Sequence, residues 1–345
     1  MQNKVSKTKD LSIETLRGIA IIMMVAGHVI GTSTEEGLRV SDDSGWRYFY
    51  RSFEYLRMPL FTVISGFVYS LRPVKPGDIF YFLKGKARRI LLPMISVGTL
   101  HFILQQIVPG TNSKSEIAGI WKIYIFPYEH FWFLQSIFLI FIFIALIDHF
   151  KLISTEKKWL IVFVLTAIGR SLLPHLEHNY FSYEGFLNLL PFFVLGCGIE
   201  RYRNLFTNKT IIRGLLILFM LSVTIQQYLL VNGTEINFLE LTLLSLLVAS
   251  SGIILLFYIR KDISVISNLG HFAYGIYLFH VFGTAGSRIL LMNLNITNTT
   301  VLFSIGLLAG LGIPIFIELL LERSQVLRMA FLGLQKQTAK QLTNK

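Results

Sequence analysis

Residues 12–31 read SIETLRGIAIIMMVAGHVIG, and this stretch indicates the fold class. A helix of about 20 predominantly apolar residues crosses the hydrocarbon core of a bilayer. The stretch follows three lysines, as the apolar part of a signal peptide would. However, it contains Arg17 and His28 and has no small-residue cleavage site, so we expect a membrane helix.

Similar segments recur along the chain, and the sequence predicts an all-α polytopic membrane protein, a bundle of about ten transmembrane helices. The predicted spans cover residues 12–31, 53–71, 90–108, 131–147, 158–174, 185–200, 211–231, 238–258, 271–291 and 300–321.

The composition agrees with a membrane protein. Of 345 residues, 53% are hydrophobic and only 15% are charged, and the mean hydropathy is +0.59. A soluble globular chain carries about 25% charged residues. One cysteine and nine prolines exclude a disulfide-rich or collagen-like chain. The net charge of +12 fits the basic cytoplasmic loops of a membrane protein, so we expect no nucleic-acid partner.

The distribution of basic residues predicts the orientation. With the N-terminus in the cytoplasm, 23 Lys and Arg residues lie in cytoplasmic segments and five in outer loops. Cytoplasmic loops carry the excess of Lys and Arg, so both termini are predicted to be cytoplasmic. The sequence shows no internal repeat or long linker, and we expect a single transmembrane domain over residues 1–345 with no fused extracellular domain.

Two ionisable residues lie on one face of the first predicted helix. Arg17 and His28 are 11 positions apart, which is about 20° more than three full turns and roughly 16 Å along the axis. A guanidinium suits a phosphate or carboxylate, and an imidazole suits proton transfer. The alternative is a structural histidine and an arginine that reaches the lipid interface. Because ionisable groups inside a span are costly, we favour a functional pair.

Other polar residues in or near the spans allow either a structural or a functional interpretation. Glu54 and Arg57 are spaced to pair on the second helix, while Pro59 and Gly66 predict a kink and a close helix contact. The cations before the third span are either a topology signal or a site for a polyanion such as a nucleotide phosphate. They are Lys86, Arg88 and Arg89.

The later spans hold weaker candidates. An aromatic belt at the membrane interface explains Trp132. His280 suits a structural hydrogen bond as well as a site role. Arg170 and Arg288 are lone charges that the pattern does not place. The loop at residues 175–178 offers too few ligands for a metal, and no metal is expected.

Four of these motifs, in this order, resemble the membrane acyltransferase-3 family. They are Arg17 and His28 with ten residues between them, RMPLFTVISG at residues 57–66, FWFL at residues 131–134 and YGIYLFH at residues 274–280. Two positions depart from the family pattern: Lys86 stands where arginine is common, and Ala273 where serine is frequent. Lysine keeps the charge but lacks the bidentate geometry of arginine.

The resemblance implies an inner-membrane O-acyltransferase. Such proteins transfer acetyl, less often succinyl, from coenzyme A (CoA) to a surface or lipid-linked glycan. Acetyl-CoA as the donor would dock from the cytoplasm, with its phosphates near Arg17 and the three cations of the loop before the third span. His28 would act as general base or as acyl carrier. The candidates for an oxyanion stabiliser are Arg57, Tyr277 and His280.

A transporter or exporter of a surface glycan is the alternative, because intramembrane charges and ten helices also suit that class. Transporters more often show internal repeats and discontinuous helices, which this sequence lacks. The acceptor sugar, the acyl length and the oligomeric state do not follow from the sequence, while contact with membrane lipid does.

Overall fold

Ten long helices form most of the part of the chain that the structure, a computed structural model, describes: residues 10–75, 77–111, 116–172 and 177–335. All regular structure in these residues is helical. The long helices are α1 (Leu11–Ile30), α2 (Gly45–Leu71), α3 (Ile79–Ile107), α4 (Trp132–His149), α5 (Glu156–Leu172), α6 (Tyr183–Arg201), α7 (Lys209–Asn232), α8 (Phe238–Ile259), α9 (Ala273–Asn293) and α10 (Thr299–Leu321).

Each predicted span falls on one of these helices, although residues 173–174 of the fifth lie outside the described residues. Eight helical segments among the described residues are long and apolar enough to cross a membrane, and they contain all the long helices except α2 and α5. The charged residues of α2 and the 17-residue length of α5 explain the exceptions. The all-α polytopic fold is confirmed, while the orientation of the termini stays a prediction.

Side-chain caps fix where several helices begin. An Asn, Asp or Ser side chain accepts a backbone N–H of the first turn and satisfies a donor that the helix leaves free. The capped helices are α1, α2, α7, α8 and α10, with caps from Asp10, Ser44, Asn208, Asn237 and Asn298.

Two helices begin earlier than the sequence predicts. α2 begins at Gly45 and α3 at Ile79, so Arg47, Arg51 and the cations of residues 84–89 belong to helices and not to loops. Arg47 is only 1% exposed, because it forms an ion pair with Asp42 and donates to the Gly31 carbonyl.

Contacts between helix ends agree with a chain that reverses direction at each helix. We call the side of the bundle where α1 begins the N-terminal face and the opposite side the distal face. On the N-terminal face, Arg201 at the end of α6 forms a bidentate ion pair with Asp148 near the end of α4, with both N–O distances 2.7 Å. On the distal face, Trp46 Nε1 of α2 donates to Thr299 Oγ1 of α10 at 3.1 Å.

Close backbone contacts set the helix positions around the site. A Cβ at Gly66 of α2 would overlap the carbonyl of Phe193 in α6, which confirms the predicted close contact at Gly66. Gly18 and Gly270 likewise bring α1 against the short helix Ser264–His271, which leads into α9. α9 also packs along α1, and this places the histidine of α9 beside that of α1.

Candidate functional site

A cavity of about 660 Å³ opens at the distal face among α1, α2, α3 and α9 and the loop that follows α1. Polar and aromatic side chains of its wall include His28, Arg57, His101, His130, Trp132 and Arg288. Four glutamates also line it, namely Glu35, Glu36, Glu54 and Glu129. The cavity can therefore hold a polar ligand within reach of a histidine.

His28 is the third residue from the end of α1. Its side chain is exposed, although its chain neighbours Gly27 and Val29 are buried. The exposure comes from the cavity, which His28 lines. The residue that the sequence singled out is thus an accessible imidazole inside the bundle.

Three further imidazoles form a row that begins at His28, and two of them, His101 and His130, also line the cavity. The ring centroid of His280 lies 4.6 Å from that of His28, and His130 lies 4.7 Å from His280. His101 lies 6.1 Å from His130. We call these four residues the histidine row. The sequence does not decide between a structural role and a site role for His280, and it predicts no role for His101 or His130. Because His101 also lies within a predicted span, the rule that singled out His28 applies to it as well.

Main-chain carbonyls hold part of the histidine row. Nδ1 of His280 lies 2.9 Å from the Tyr277 carbonyl, and the Tyr277 hydroxyl donates to the His130 carbonyl. His280 is 0% exposed and His130 5%. Nε2 of His280 and both ring nitrogens of His130 have no hydrogen-bond partner among the described residues. Tyr277 therefore holds the main chain at His130 with its hydroxyl and the His280 ring with its carbonyl. Its hydroxyl proton is already used, so Tyr277 does not serve as the oxyanion stabiliser for which the sequence made it a candidate.

Arg57 brings a positive charge next to His28. Its guanidinium lies against Gly27, the residue before His28, and stacks over the Tyr50 ring at 4.1 Å from the centroid. The predicted pairing with Glu54 is wrong: the structure shows no ion pair between these two described residues. An arginine stacked on an aromatic ring gains a cation–π interaction, and its donors stay available to a ligand.

Trp132 and Arg288 complete the wall of the cavity. The Trp132 ring packs over Gly185, where a Cβ would overlap it. Arg288, which the sequence did not place, is 8% exposed, and its guanidinium nitrogens lie 3.4 and 3.5 Å from the carbonyls of Gly37 and Gly110. Arg170 does not line the cavity; it joins α5 to Ser245 of α8.

Arg17 lies far from this cavity. It pairs with Glu14 at 2.8 Å near the N-terminal face, and its side chain is 30% exposed. The two residues are eleven positions apart on α1, a rise of about 16 Å. The two residues share one helix but do not meet, and Arg17 does not line the cavity.

The cations of α3 have protein partners near the N-terminal face. Arg88 Nε lies 3.4 Å from the Gly333 carbonyl, and Arg89 donates to the Leu332 carbonyl. These carbonyls end the short helix Gln325–Leu332, so both arginines cap its C-terminus. The Lys86 ammonium lies 3.7 Å from the centroid of the Phe141 ring.

None of the three α3 cations lines the cavity of His28. No group of three or more His, Cys, Asp or Glu side chains that could hold a metal ion occurs in the described part of the chain. His175 of the 175–178 loop lies outside the described residues.

Comparison with known proteins gives one family and two relatives. A family model described as an acyltransferase domain, that of the acyltransferase-3 family, matches residues 10–319. Nodulation protein NolL of Mesorhizobium japonicum is 27% identical over 213 residues, which cover 58% of this chain and 53% of that protein. Nodulation protein NolL of Sinorhizobium fredii is 24% identical over 196 residues, covering 55% of this chain and 49% of that protein. The chain thus matches about half the length of these curated relatives, and no solved structure matches it.

Proposed function

The chain belongs to the acyltransferase-3 family, and on that premise we propose that it is an integral-membrane O-acyltransferase. It transfers an acyl group, for which we propose acetyl, from acyl-CoA to a hydroxyl of a surface or exported sugar. The proposed location is the cytoplasmic (inner) membrane of the cell. The observation that carries the proposal is His28, an imidazole exposed to a cavity inside a membrane bundle.

The chemistry proposed for His28 is general-base catalysis. A ring nitrogen of His28 takes the proton of the acceptor hydroxyl while the hydroxyl oxygen attacks the thioester carbonyl carbon. The carbon–sulfur bond then breaks, and the CoA sulfur leaves and takes the proton from His28. In the alternative, the unprotonated ring nitrogen of His28 attacks the thioester carbon, the carbon–sulfur bond breaks and the CoA thiolate leaves. The acceptor hydroxyl then attacks the acyl group on His28, the carbon–nitrogen bond breaks, and the hydroxyl proton goes to the thiolate.

Arg57 is the oxyanion stabiliser that the geometry favours. Its guanidinium lies beside His28, and the structure shows no carboxylate paired with it among the described residues. A fixed positive charge next to the reacting carbonyl stabilises the negative charge that develops on its oxygen. His280 is fully buried and does not line the cavity, so it suits this role less well.

The donor is proposed to enter at the N-terminal face, which the basic residues predict to be cytoplasmic. Lys86, Arg88, Arg89 and Arg17 supply positive charge near that face for the phosphates of CoA. Arg88 and Arg89 already bond main-chain carbonyls. Because a guanidinium has five N–H donors, one carbonyl contact leaves others for a phosphate.

The acceptor is proposed to enter from the distal face. Carboxylates such as Glu35 and Glu54 accept hydrogen bonds from sugar hydroxyls, and Trp132 offers an apolar surface in the same cavity. A lipid-linked or exported glycan is therefore the acceptor class that we favour.

Mass analysis of surface glycans tests the enzyme against an exporter. Glycans from cells that make the protein are compared with those from cells that lack it. If the protein is the proposed enzyme, cells that lack it should make the same glycan, lighter by the mass of one ester-linked acyl group. Loss of the whole glycan would favour the exporter and contradict the enzyme.

A further inference from the structure

His280 lies directly behind the proposed catalytic base and has one ring nitrogen without a partner. The residue is 0% exposed and does not line the cavity, so it lies within the protein while His28 faces the cavity. The two ring centroids are 4.6 Å apart with 54° between the ring planes.

Its other nitrogen determines the tautomer. Nδ1 of His280 lies 2.9 Å from the Tyr277 carbonyl oxygen, which can only accept a hydrogen bond, so Nδ1 carries the hydrogen. The described residues show no ion pair to His280, and a buried charge without a partner is costly. The ring is therefore neutral, and Nε2 carries a lone pair that can only accept.

Nε2 of His280 is buried and has no hydrogen-bond partner among the described residues. Buried polar atoms are rarely left in this state unless a ligand or a movement satisfies them. The two rings are in contact, with 4.6 Å between centroids, and a near-linear N–H···N bond of about 3 Å would place the centroids about 5 Å apart. A small outward rotation of the His28 ring is therefore enough to form the bond.

We propose that Nε2 of His280 accepts the ring N–H of His28 when substrates are bound, and so acts as a positioning residue. The bond fixes the tautomer of His28 and leaves its second nitrogen unprotonated and directed at the cavity. A base oriented by a third group is the arrangement by which nucleophile and base pairs work in many enzymes, and catalytic hydrogen bonds often tighten only with substrate.

His130 is the other ring within range of His280, at 4.7 Å. We assign the bond to His28 because its side chain is exposed in the cavity, whereas His130, which also lines the cavity, is only 5% exposed. The inference rests on the proposed function, since it gives His280 a task only if His28 is the base or acyl carrier.

Two substitutions separate positioning from packing. His280→Leu fills the site without an acceptor, whereas His280→Gln keeps a side-chain oxygen that can accept from His28. Acyl transfer is measured with purified, level-matched protein in liposomes, with acetyl-CoA and a glycan fraction from cells that lack the protein. We expect kcat to fall by about 10²-fold in His280→Leu, the usual effect of misplacing a catalytic group by about 1 Å.

His280→Gln should recover at least tenfold of that loss, roughly 1.4 kcal/mol in barrier height. The KM for acetyl-CoA should change in neither variant. His271 controls for the loss of a histidine whose Nδ1 bonds a main-chain carbonyl, that of Ser267 at 2.7 Å, at an exposed position away from the cavity. His271→Leu should keep the wild-type kcat.

An equal loss in His280→Leu and His280→Gln, or an unchanged kcat in His280→Leu, would overturn the inference. If the leucine variant does not fold, His280→Val against His280→Asn gives the same contrast, because valine has no acceptor and asparagine has a side-chain oxygen. Activity in His28→Gln would instead overturn the proposed function, so the two failures can be told apart.

Discussion

A methyl group at Gly27 tests whether Arg57 must lie beside His28. A Cβ added at Gly27 would lie 1.7 Å from Nη1 of Arg57, whereas ordinary contact begins at 3.4 Å. The guanidinium must therefore withdraw by about 1.7 Å. It can do so, because the obstructing atom is the far end of a flexible side chain and not backbone.

The expected magnitude follows from that displacement. A shift of about 1 Å in a catalytic group costs about 10²-fold in rate, so Gly27→Ala should lower kcat by at least that factor. The folded state should not suffer, because alanine favours the interior of α1 over glycine by about 0.5–1 kcal/mol. The variant thus moves the Arg57 guanidinium away from His28 without removing its charge.

The assay is acyl transfer from acetyl-CoA by purified, level-matched protein, with a thermal unfolding curve for each variant. Gly286→Ala is the matched control, because a Cβ there meets nothing within 4 Å and Gly286 lies on α9 in the same bundle. A wild-type kcat in Gly27→Ala, or an equal loss in the control, would refute the role of Arg57.

Three further predictions address the donor, the topology and the packing. Replacing Lys86 and Arg89 with alanine should raise the Kd for acetyl-CoA about tenfold or more, and an unchanged Kd would make these cations structural. In intact cells an impermeant thiol reagent should label Ser44→Cys but not Lys157→Cys, and the reverse pattern would overturn the orientation. Gly66→Ala should lower the unfolding temperature, because the methyl group meets a rigid carbonyl of α6; equal stability would contradict that packing.

The sequence predicts the ten helices well because each needs a long apolar run, and such runs are visible without tertiary information. It misses the starts of α2 and α3, where Arg47 and Lys84 to Arg89 make the helix polar. Hydropathy detects the part of a helix that lies in lipid. The polar extensions instead depend on contacts such as that of Arg47 with the Gly31 carbonyl, which connect distant parts of the chain.

Only part of the candidate site can be predicted from the sequence. His28 stands out because an imidazole in an apolar run is unusual, whereas the histidine row comes from α1, α3, α9 and the turn before α4 and exists only in three dimensions. Arg57 also shows the limit of spacing rules. Glu54 is at pairing distance along the helix, yet the guanidinium stacks on Tyr50, because tertiary packing decides which partner is reachable.

The measurement that tests the central claim most directly is acyl transfer by His28→Gln. Wild-type and variant protein are purified, matched in amount and placed in liposomes. Two quantities are then measured for each: the rate at which acyl ester forms on the glycan fraction, and the Kd for acetyl-CoA. Glutamine keeps hydrogen bonding but cannot take up the proton or carry the acyl group, so the rate should fall by about 10²–10⁴-fold while the Kd stays unchanged. Ester formation by His28→Gln close to the wild-type rate would contradict the account.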